Sequence, residues 1–320
     1  MASVLKEPYF QDEAAAFARL EAIVWPNGPI CPKCGCSGRI NSLEGVKDKK
    51  GQVRLGLKKC YDCRAQFTVR VGTIFERSHV PLHMWFQAAY FLCSSKKGIS
   101  SNQLSRTLGV TLQTAWFMSH RLREAMRTGG LAPMGGAGSI VEADETFIGR
   151  REGSIKRRGH GHKNSVLSLV ERGGQVRSFH VDGTSAADVM PIIRKNVAKE
   201  TAMMTDEGGH YSRLSSDFAS HETVQHKADE YVRYDDDRVI ATNTVEGYFS
   251  IFKRGMKGVY QHCGEKHLHR YLAEFDFRYN NRTRLGIDDG DRTIYALRGI
   301  VGKRLTYRAH RRAMFRDKNV

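Results

Sequence analysis

No stretch of this chain is apolar for anything near the roughly 20 residues that a spanning helix needs, and its mean hydropathy is −0.48. That argues against a membrane-spanning helix and makes a membrane the weaker candidate. The opening MASVLKEPYFQDEAAAFARL is acidic and has no apolar core, so it does not read as a secretory signal. A cytoplasmic protein is expected. Acidic residues are scarce as well: 34 Asp and Glu stand against 51 Lys and Arg, a formal net charge of +17. Such a deficit of negative charge suits a protein that meets phosphate backbones. What is present is enough to fold. Hydrophobic residues make up 40% of 320 positions, which supports real cores and two or three domains.

Without an export signal, the 7 cysteines argue for metal or reduced thiols over disulfides. Five of them fall between positions 31 and 63. CPKCGC and CYDC form two Cys-x-x-Cys knuckles, Cys31 with Cys34 and Cys60 with Cys63. Two such knuckles supply four thiolates in the tetrahedral set that structural Zn²⁺ prefers. Between them, KDKKGQVRLGLKK reads as a hairpin excursion followed by a strand. Cys36 is a spare that could replace Cys34, and Cys93 and Cys263 read as ordinary thiols.

Residues 82–127 carry helical patterning. LHMWFQAAYFLC is an apolar helix, and GISSNQLSRTLGVTLQTAWFMSHRLREAM resembles a helix-turn-helix. Leu104 and Leu108 mark its first helix, Gly109 permits the turn, and Thr111 can cap a second helix built to enter a major groove. Gln113, Thr114 and Arg121 are the expected readers on that helix. A plain helical hairpin within a larger domain is the competing reading.

RTGGLAPMGGAGSI marks a boundary, after which the pattern turns strand-like. SIVEADETFIG, NSVLSLVER and GQVRSFHVDG read as three strands, SAADVMPIIRKNVA as a helix, and TAMMTDEG as a fourth strand ending in acid. This order is that of an α/β, RNase H-like domain, a mixed sheet flanked by helices. It places carboxylates on the first strand, after the fourth strand and on a late helix: Asp144, Asp206 and Glu246. Three converging carboxylates raise one another's pKa unless cations neutralise them, a setting that suits Mg²⁺. Two such ions can serve both the attacking and the leaving oxygen of a phosphodiester displacement. Glu145, Glu207 and the acids at 235–237 read as solvated loop charges. On the late helix Lys253 follows Glu246 by two turns on the same face. Tyr248, Phe249 and Phe252 have the spacing of a buried stripe.

Taken together, GISSNQLSRTLGVTLQTAWFMSHRLREAM, ADETFIG, TDEGGHY, TNTVEGYFSIFKRGMKGVYQH and HLHRYLAEFDFRYN resemble bacterial insertion-sequence transposases with a zinc ribbon, a helix-turn-helix and a DDE domain, relatives of Merlin elements. The resemblance runs from about residue 15 to 285 and implies a catalytic triad at Asp144, Asp206 and Glu246, with its downstream lysine at Lys253. Some members carry Asn in the third position, which makes Asn243 the alternative ligand. The expected organisation is a zinc-ribbon segment over 1–80, a helix-turn-helix over 81–130 and a catalytic domain over 131–320. The implied partners are double-stranded DNA, both the element's terminal inverted repeats and its target, and further copies of the chain, as a dimer or larger homo-oligomer on DNA. Lys253, Arg254, and Arg157 and Arg158 within RREGSIKRRGHGHK are expected along the DNA path, as is the C-terminal GKRLTYRAHRRAMFRDK. An RNase H-like nuclease or resolvase, and a non-catalytic zinc-ribbon regulator, are the rival functions.

Overall fold

The computed structural model describes residues 4–225, 230–235 and 238–306. Along the chain come α1 (Glu13–Val24), β1 (Ile40–Ser42), β2 (Lys58–Cys60), β3 (Gln66–Phe67), α2 (Leu82–Ser94), α3 (Ser101–Leu108) and α4 (Leu112–Met126). There follow β4 (Ile140–Ile148), β5 (Asn164–Glu171), β6 (Val176–Val181), α5 (Ala186–Asn196), β7 (Ala202–Asp206), α6 (Leu214–Asp217) and β8 (Ser220–Val224). The chain continues through β9 (Val232–Asp235), β10 (Arg238–Ala241), α7 (Asn243–Gly255), α8 (Leu268–Asn280) and α9 (Asp289–Arg298). Among the described residues no helix is long and apolar enough to cross a membrane. Residues 236 and 237 of the acidic run, and the basic C-terminal stretch beyond Thr306, lie outside the described residues.

The chain divides into two compact units. The first contains α1 to α4, the small sheet β1-β2-β3 and α9. Asp12 starts α1 by accepting the Ala15 N–H at 2.7 Å, and the helix buries Ala16, Phe17 and Leu20. Beyond β1 the chain makes the expected hairpin excursion. Lys47 bridges to Val53, and the Asp48 carboxylate holds the turn by accepting the N–H groups of Lys50 and Gln52. Gly109, at φ 65°, turns the chain between α3 and α4, a conformation that a side chain would strain. The Thr111 hydroxyl then accepts the Thr114 N–H at 3.2 Å and caps α4.

Two boundaries and one residue depart from expectation here. The segments 1–80 and 81–130 belong to one unit, and α9 joins them instead of the C-terminal domain. The reason is packing: the buried Arg292 guanidinium donates to the Cys93 carbonyl, and a Cβ on Gly299 would lie 2.3 Å from the carbonyl oxygen of Ala125. Arg121 is not an exposed reader. It is 6% exposed, and its guanidinium donates to the carbonyls of Ile74, Glu76 and Leu305. The bond to Ile74 is buried and the other two are part-buried, so Arg121 is committed to the fold.

The second unit holds a five-stranded sheet in the order β6-β5-β4-β7-β8. β4, β5 and β6 form an antiparallel meander, whereas β7 and β8 run parallel to β4. This is the RNase H-like α/β arrangement expected from the strand order. Alternation along the strands builds one core on each face. Val141, Ala143, Leu167 and Leu169 meet Val189 and Ile193 of α5. On the other face Ile148, Val166 and Val170 meet Val245, Tyr248, Phe249 and Phe252 of α7 and Phe275 of α8. The aromatic stripe of α7 is therefore core, as its spacing predicts.

A buried polar knot ties this second core to the sheet. The Asp276 carboxylate on α8 accepts the Tyr248 hydroxyl at 2.6 Å, the Ser178 hydroxyl at 2.7 Å and the Ser178 N–H at 2.8 Å. Burial pushes the Asp276 carboxyl up to about 6 against these bonds. The folded chain therefore holds this proton more tightly than the unfolded one. The stabilisation is complete at low pH and is lost as pH rises from about 4 to about 6, a change of up to about 3 kcal/mol. Urea unfolding across that window is expected to show the decline in the parent protein, with a shallower slope in Asp276→Asn.

Candidate active site

β4 and β7 lie side by side with Glu142 opposite Met204. Two residues further along each strand come Asp144 and Asp206, on neighbours about 4.8 Å apart. Asp206 ends β7, and its Oδ1 accepts the Gly208 N–H at 3.0 Å. A Cβ at Gly208 would stand 2.9 Å from that same oxygen and 2.7 Å from the His210 ring, so a larger residue would push on both side chains. Glu246 lies in the first turn of α7, exposed, with the Thr242 hydroxyl donating to its Oε1 at 3.0 Å. Asn243, the first residue of α7, is also exposed, one turn earlier.

The field at these acids is strongly negative. Burial, joined by the charges of Glu145, Asp206 and Glu246, pushes the Asp144 carboxyl up to about 7, although the Glu145 N–H donates to it at 2.7 Å. A carboxylate held in that state is relieved by a divalent cation, and the all-oxygen donor set suits Mg²⁺. Among the described residues only cysteine-containing groups bring three or more ligand atoms within 4.8 Å of one another. Asp144, Asp206 and Glu246 are not among those groups.

Two neighbouring acids have functions that the sequence pattern missed. Glu145 is no solvated loop charge. Its side chain is 7% exposed and its Oε1 accepts the Tyr211 hydroxyl at 2.8 Å, with His210 Nε2 at 3.1 Å. The hydrogen bond to Glu145, with that residue's charge, raises the pKa of His210 against its partial burial. Glu142, fully buried on β4, accepts the N–H groups of Thr244 and Val245 at 2.8 and 2.9 Å and the Thr244 hydroxyl at 2.8 Å. It thereby caps α7, the helix that carries Glu246, with favourable charge at its N-terminus. Arg172 completes the clamp, donating to Glu142 at 2.7 Å and to the carbonyl of Ala241 at 2.8 Å. The signal was there in VEADE, where Glu142 and Asp144 share one face of a strand.

Glu142→Ala is expected to cost about 3–5 kcal/mol, because it removes the carboxylate opposite Arg172 and leaves two helix N–H groups without an acceptor. Glu142→Gln, which keeps one acceptor oxygen, is expected to cost less. Chemical denaturation of both variants checks the order.

The basic residues fall in varied settings. Arg157 and Arg158 are exposed in the loop between β4 and β5. Lys253 sits half-buried on α7 with its ammonium 5.8 Å from the Phe249 ring centre. Arg254 folds back onto its own helix, donating to Ser250 O and Oγ. Gln113 is exposed at the start of α4, and Thr114 is half-buried with its hydroxyl 2.9 Å from that of Thr111.

In the first unit, the sulfurs of Cys31, Cys34, Cys60 and Cys63 all lie within 4.8 Å of one another. Cys31 and Cys63 are 3.6 Å apart, as are Cys34 and Cys60. A Zn–S bond of about 2.3 Å gives a tetrahedral edge of about 3.8 Å, so these four residues fit a zinc ion. The backbone N–H groups of Cys63 and Asp62 draw the Cys60 thiol down to about 7, towards the thiolate that a metal needs. Cys36 groups instead with Cys60 and Asp62.

Residues 11–66 match the transposase zinc-ribbon domain, and residues 135–280 match the ISXO2-like transposase domain. A protein of Halobacterium salinarum described as an uncharacterized protein in transposable element ISH50 is 27% identical over 287 residues, covering 84% of this chain and 91% of that one. A chain from the simian T-cell lymphotropic virus intasome in complex with PP2A regulatory subunit B56 gamma aligns at 15% identity and a TM-score of 0.28, over 54% of this chain and 63% of its own length. With a zinc ribbon ahead of an ISXO2-like transposase domain, and a relative encoded within a transposable element, the chain has the domains of an insertion-sequence DDE transposase.

Proposed function

We propose that this chain cuts DNA at the ends of its element and joins the freed 3′ end to target DNA, with Asp144, Asp206 and Glu246 as the acids that bind catalytic Mg²⁺. The observation that carries this reading is the Asp144 carboxyl, pushed up to about 7 by burial and by the charges of its neighbours, Asp206 and Glu246 among them. Bound Mg²⁺ would supply charge neutralisation at the phosphodiester and at the oxygens entering and leaving it. In the first step a water oxygen attacks phosphorus and the bond to the 3′ oxygen breaks, leaving a 3′-hydroxyl. In the second that hydroxyl attacks a target phosphorus and displaces a target 3′ oxygen. Thr242 holds the Glu246 carboxylate in place for both steps, and Glu142 with Arg172 holds the helix that carries it. Asn243 is the alternative third ligand.

In this reading the zinc ribbon and the α3–α4 pair recognise the element's double-stranded ends, with Gln113 and Thr114 at the exposed start of α4 nearest the bases. Arg157 and Arg158 extend the phosphate path, and a dimer or larger assembly on DNA would pair two ends. Arg254, tied to Ser250, must leave that bond to reach a phosphate, so Lys253 is the stronger phosphate contact on α7. Lys253→Gln is expected to lower the slope of log affinity against log salt by about one unit, with no change in sequence preference. Titrations of element and unrelated duplexes at several salt concentrations check this.

The test of the reading is cleavage of a duplex carrying the element's end by purified protein and Mg²⁺, with the new terminus identified. A cut at the element boundary that leaves a 3′-hydroxyl supports it. Binding with no cut under those conditions supports the non-catalytic regulator instead.

A further inference from the structure

The β4 strand runs past Asp144 into a cavity of about 310 Å³ in the second unit, whose walls include Ile148, Lys163, Asn164, Met256, Lys257 and Gln261. Three features mark it as a binding site. First, Asn164 is 2% exposed, yet its side-chain Oδ1 has no hydrogen-bond partner. Buried amide oxygens are rarely left unpaired, because the lost hydration is not returned by the protein. Asn164 faces Ile148 across the β4–β5 ladder, so its amide is fixed at the cavity by the sheet itself.

Second, the backbone at the mouth is unusual. α7 passes into a π-helical turn over Met256–Tyr260, which ends at Gln261 with φ 58° and ψ −49°. A residue other than glycine is strained there, and π turns and such strain gather at functional sites. The turn presents Lys257 and Gln261 to the cavity. Third, the charge has one sign: among the described residues lining the cavity, Lys163 and Lys257 are cationic and none is acidic. Ile148 and Met256 supply apolar walls.

Its position is set by the same elements that carry the acids. Ile148 is four residues beyond Asp144, about 13 Å along a strand, and Met256 is ten beyond Glu246, about 15 Å along a helix. At about 3.4 Å per stacked nucleotide, that is the reach of a base about four nucleotides from a phosphate held at the acids. A volume near the lower end of the usual 300–1,000 Å³ for ligand pockets admits a single base and not a duplex.

We propose that this cavity receives one unstacked nucleotide of the end DNA, its base lying between Ile148 and Met256. An amino or imino N–H of that base donates to Asn164 Oδ1, and Lys163 and Lys257 hold the flanking phosphates. The inference rests on the DNA-cleaving reading above. Leaving the stack costs base-stacking energy, and the paired Asn164 oxygen and the cationic rim offset it.

The experiment uses the full chain and end duplexes carrying 2-aminopurine at each position within six nucleotides of the cut, in Ca²⁺ in place of Mg²⁺. Fluorescence is expected to rise severalfold on binding at one position and to stay low at the others. Asn164→Leu and the surface change Lys257→Gln are each expected to remove most of that rise. Cleavage assayed separately in Mg²⁺ keeps the two readings apart. A parent protein that binds and cuts while every position stays dark overturns the pocket and leaves the catalytic reading standing. So does a rise that neither variant reduces. Free 2-aminopurine deoxynucleoside monophosphate, followed by anisotropy without duplex, provides the last arm. Binding of that nucleotide, lost in Asn164→Leu, beside dark duplexes would assign the cavity to a free nucleotide and overturn its proposed occupant.

Discussion

Asp144→Asn is expected to lower strand cleavage by roughly 10³-fold or more, equivalent to about 4 kcal/mol of barrier, while end binding stays close to the parent's. The amide keeps the shape and the hydrogen bond from the Glu145 N–H but removes the charge that would hold a divalent ion. Asp206→Asn and Glu246→Gln are expected to behave alike. The third position is decided by comparison. If Asn243→Ala is inactive and Glu246→Gln cuts normally, the third ligand is Asn243. Both are exposed in the first turn of α7, so both can reach an ion from the same helix. Quantified cleavage of labelled end DNA, beside a gel-shift titration of the same variants, gives the answer. Losses of binding as large as the losses of cleavage would place these acids in recognition and not in chemistry.

Cys31→Ser or Cys60→Ser is expected to release zinc and unfold the ribbon, because both sulfurs are buried in a module with a small core. Apparent zinc binding in such modules amounts to about 10–16 kcal/mol near pH 7, so the missing metal removes most of the folding drive. Specific end binding should go with it. The second unit has two cores of its own, one on each face of its sheet, and is expected to keep its unfolding transition. Metal analysis should find about one zinc per parent chain and little in the variants. A metal-free parent that still binds its ends would remove the ribbon from the account.

Much of this was legible in the sequence because the signals are local. Knuckle spacing named the four sulfurs that the fold brings together, and strand alternation with its helix placed Asp144 on β4, Asp206 at the end of β7 and Glu246 on α7. The aromatic stripe of α7 was likewise readable from its period. What escaped depends on long-range partners. Arg121 looks like a helix-surface arginine until the carbonyls of Ile74, Glu76 and Leu305 enclose it. Glu145 looks solvated until Tyr211 and His210 arrive from beyond β7. Glu142 needs α7, some hundred residues later, before its role as a cap can be seen. The placement of α9 with α2 also rests on pairing across most of the chain.

The central claim is that one set of acids drives both cutting and joining, and a precut end isolates the second step. A duplex that already bears the element's 3′-hydroxyl, incubated with a supercoiled target, Mg²⁺ and purified protein, bypasses cleavage altogether. The account predicts a labelled end covalently joined to the target by the parent protein and no joined product with Asp144→Asn under conditions where both bind the end. Joining by Asp144→Asn at the parent's rate, or a parent that cuts intact ends but never joins a precut one, would contradict it.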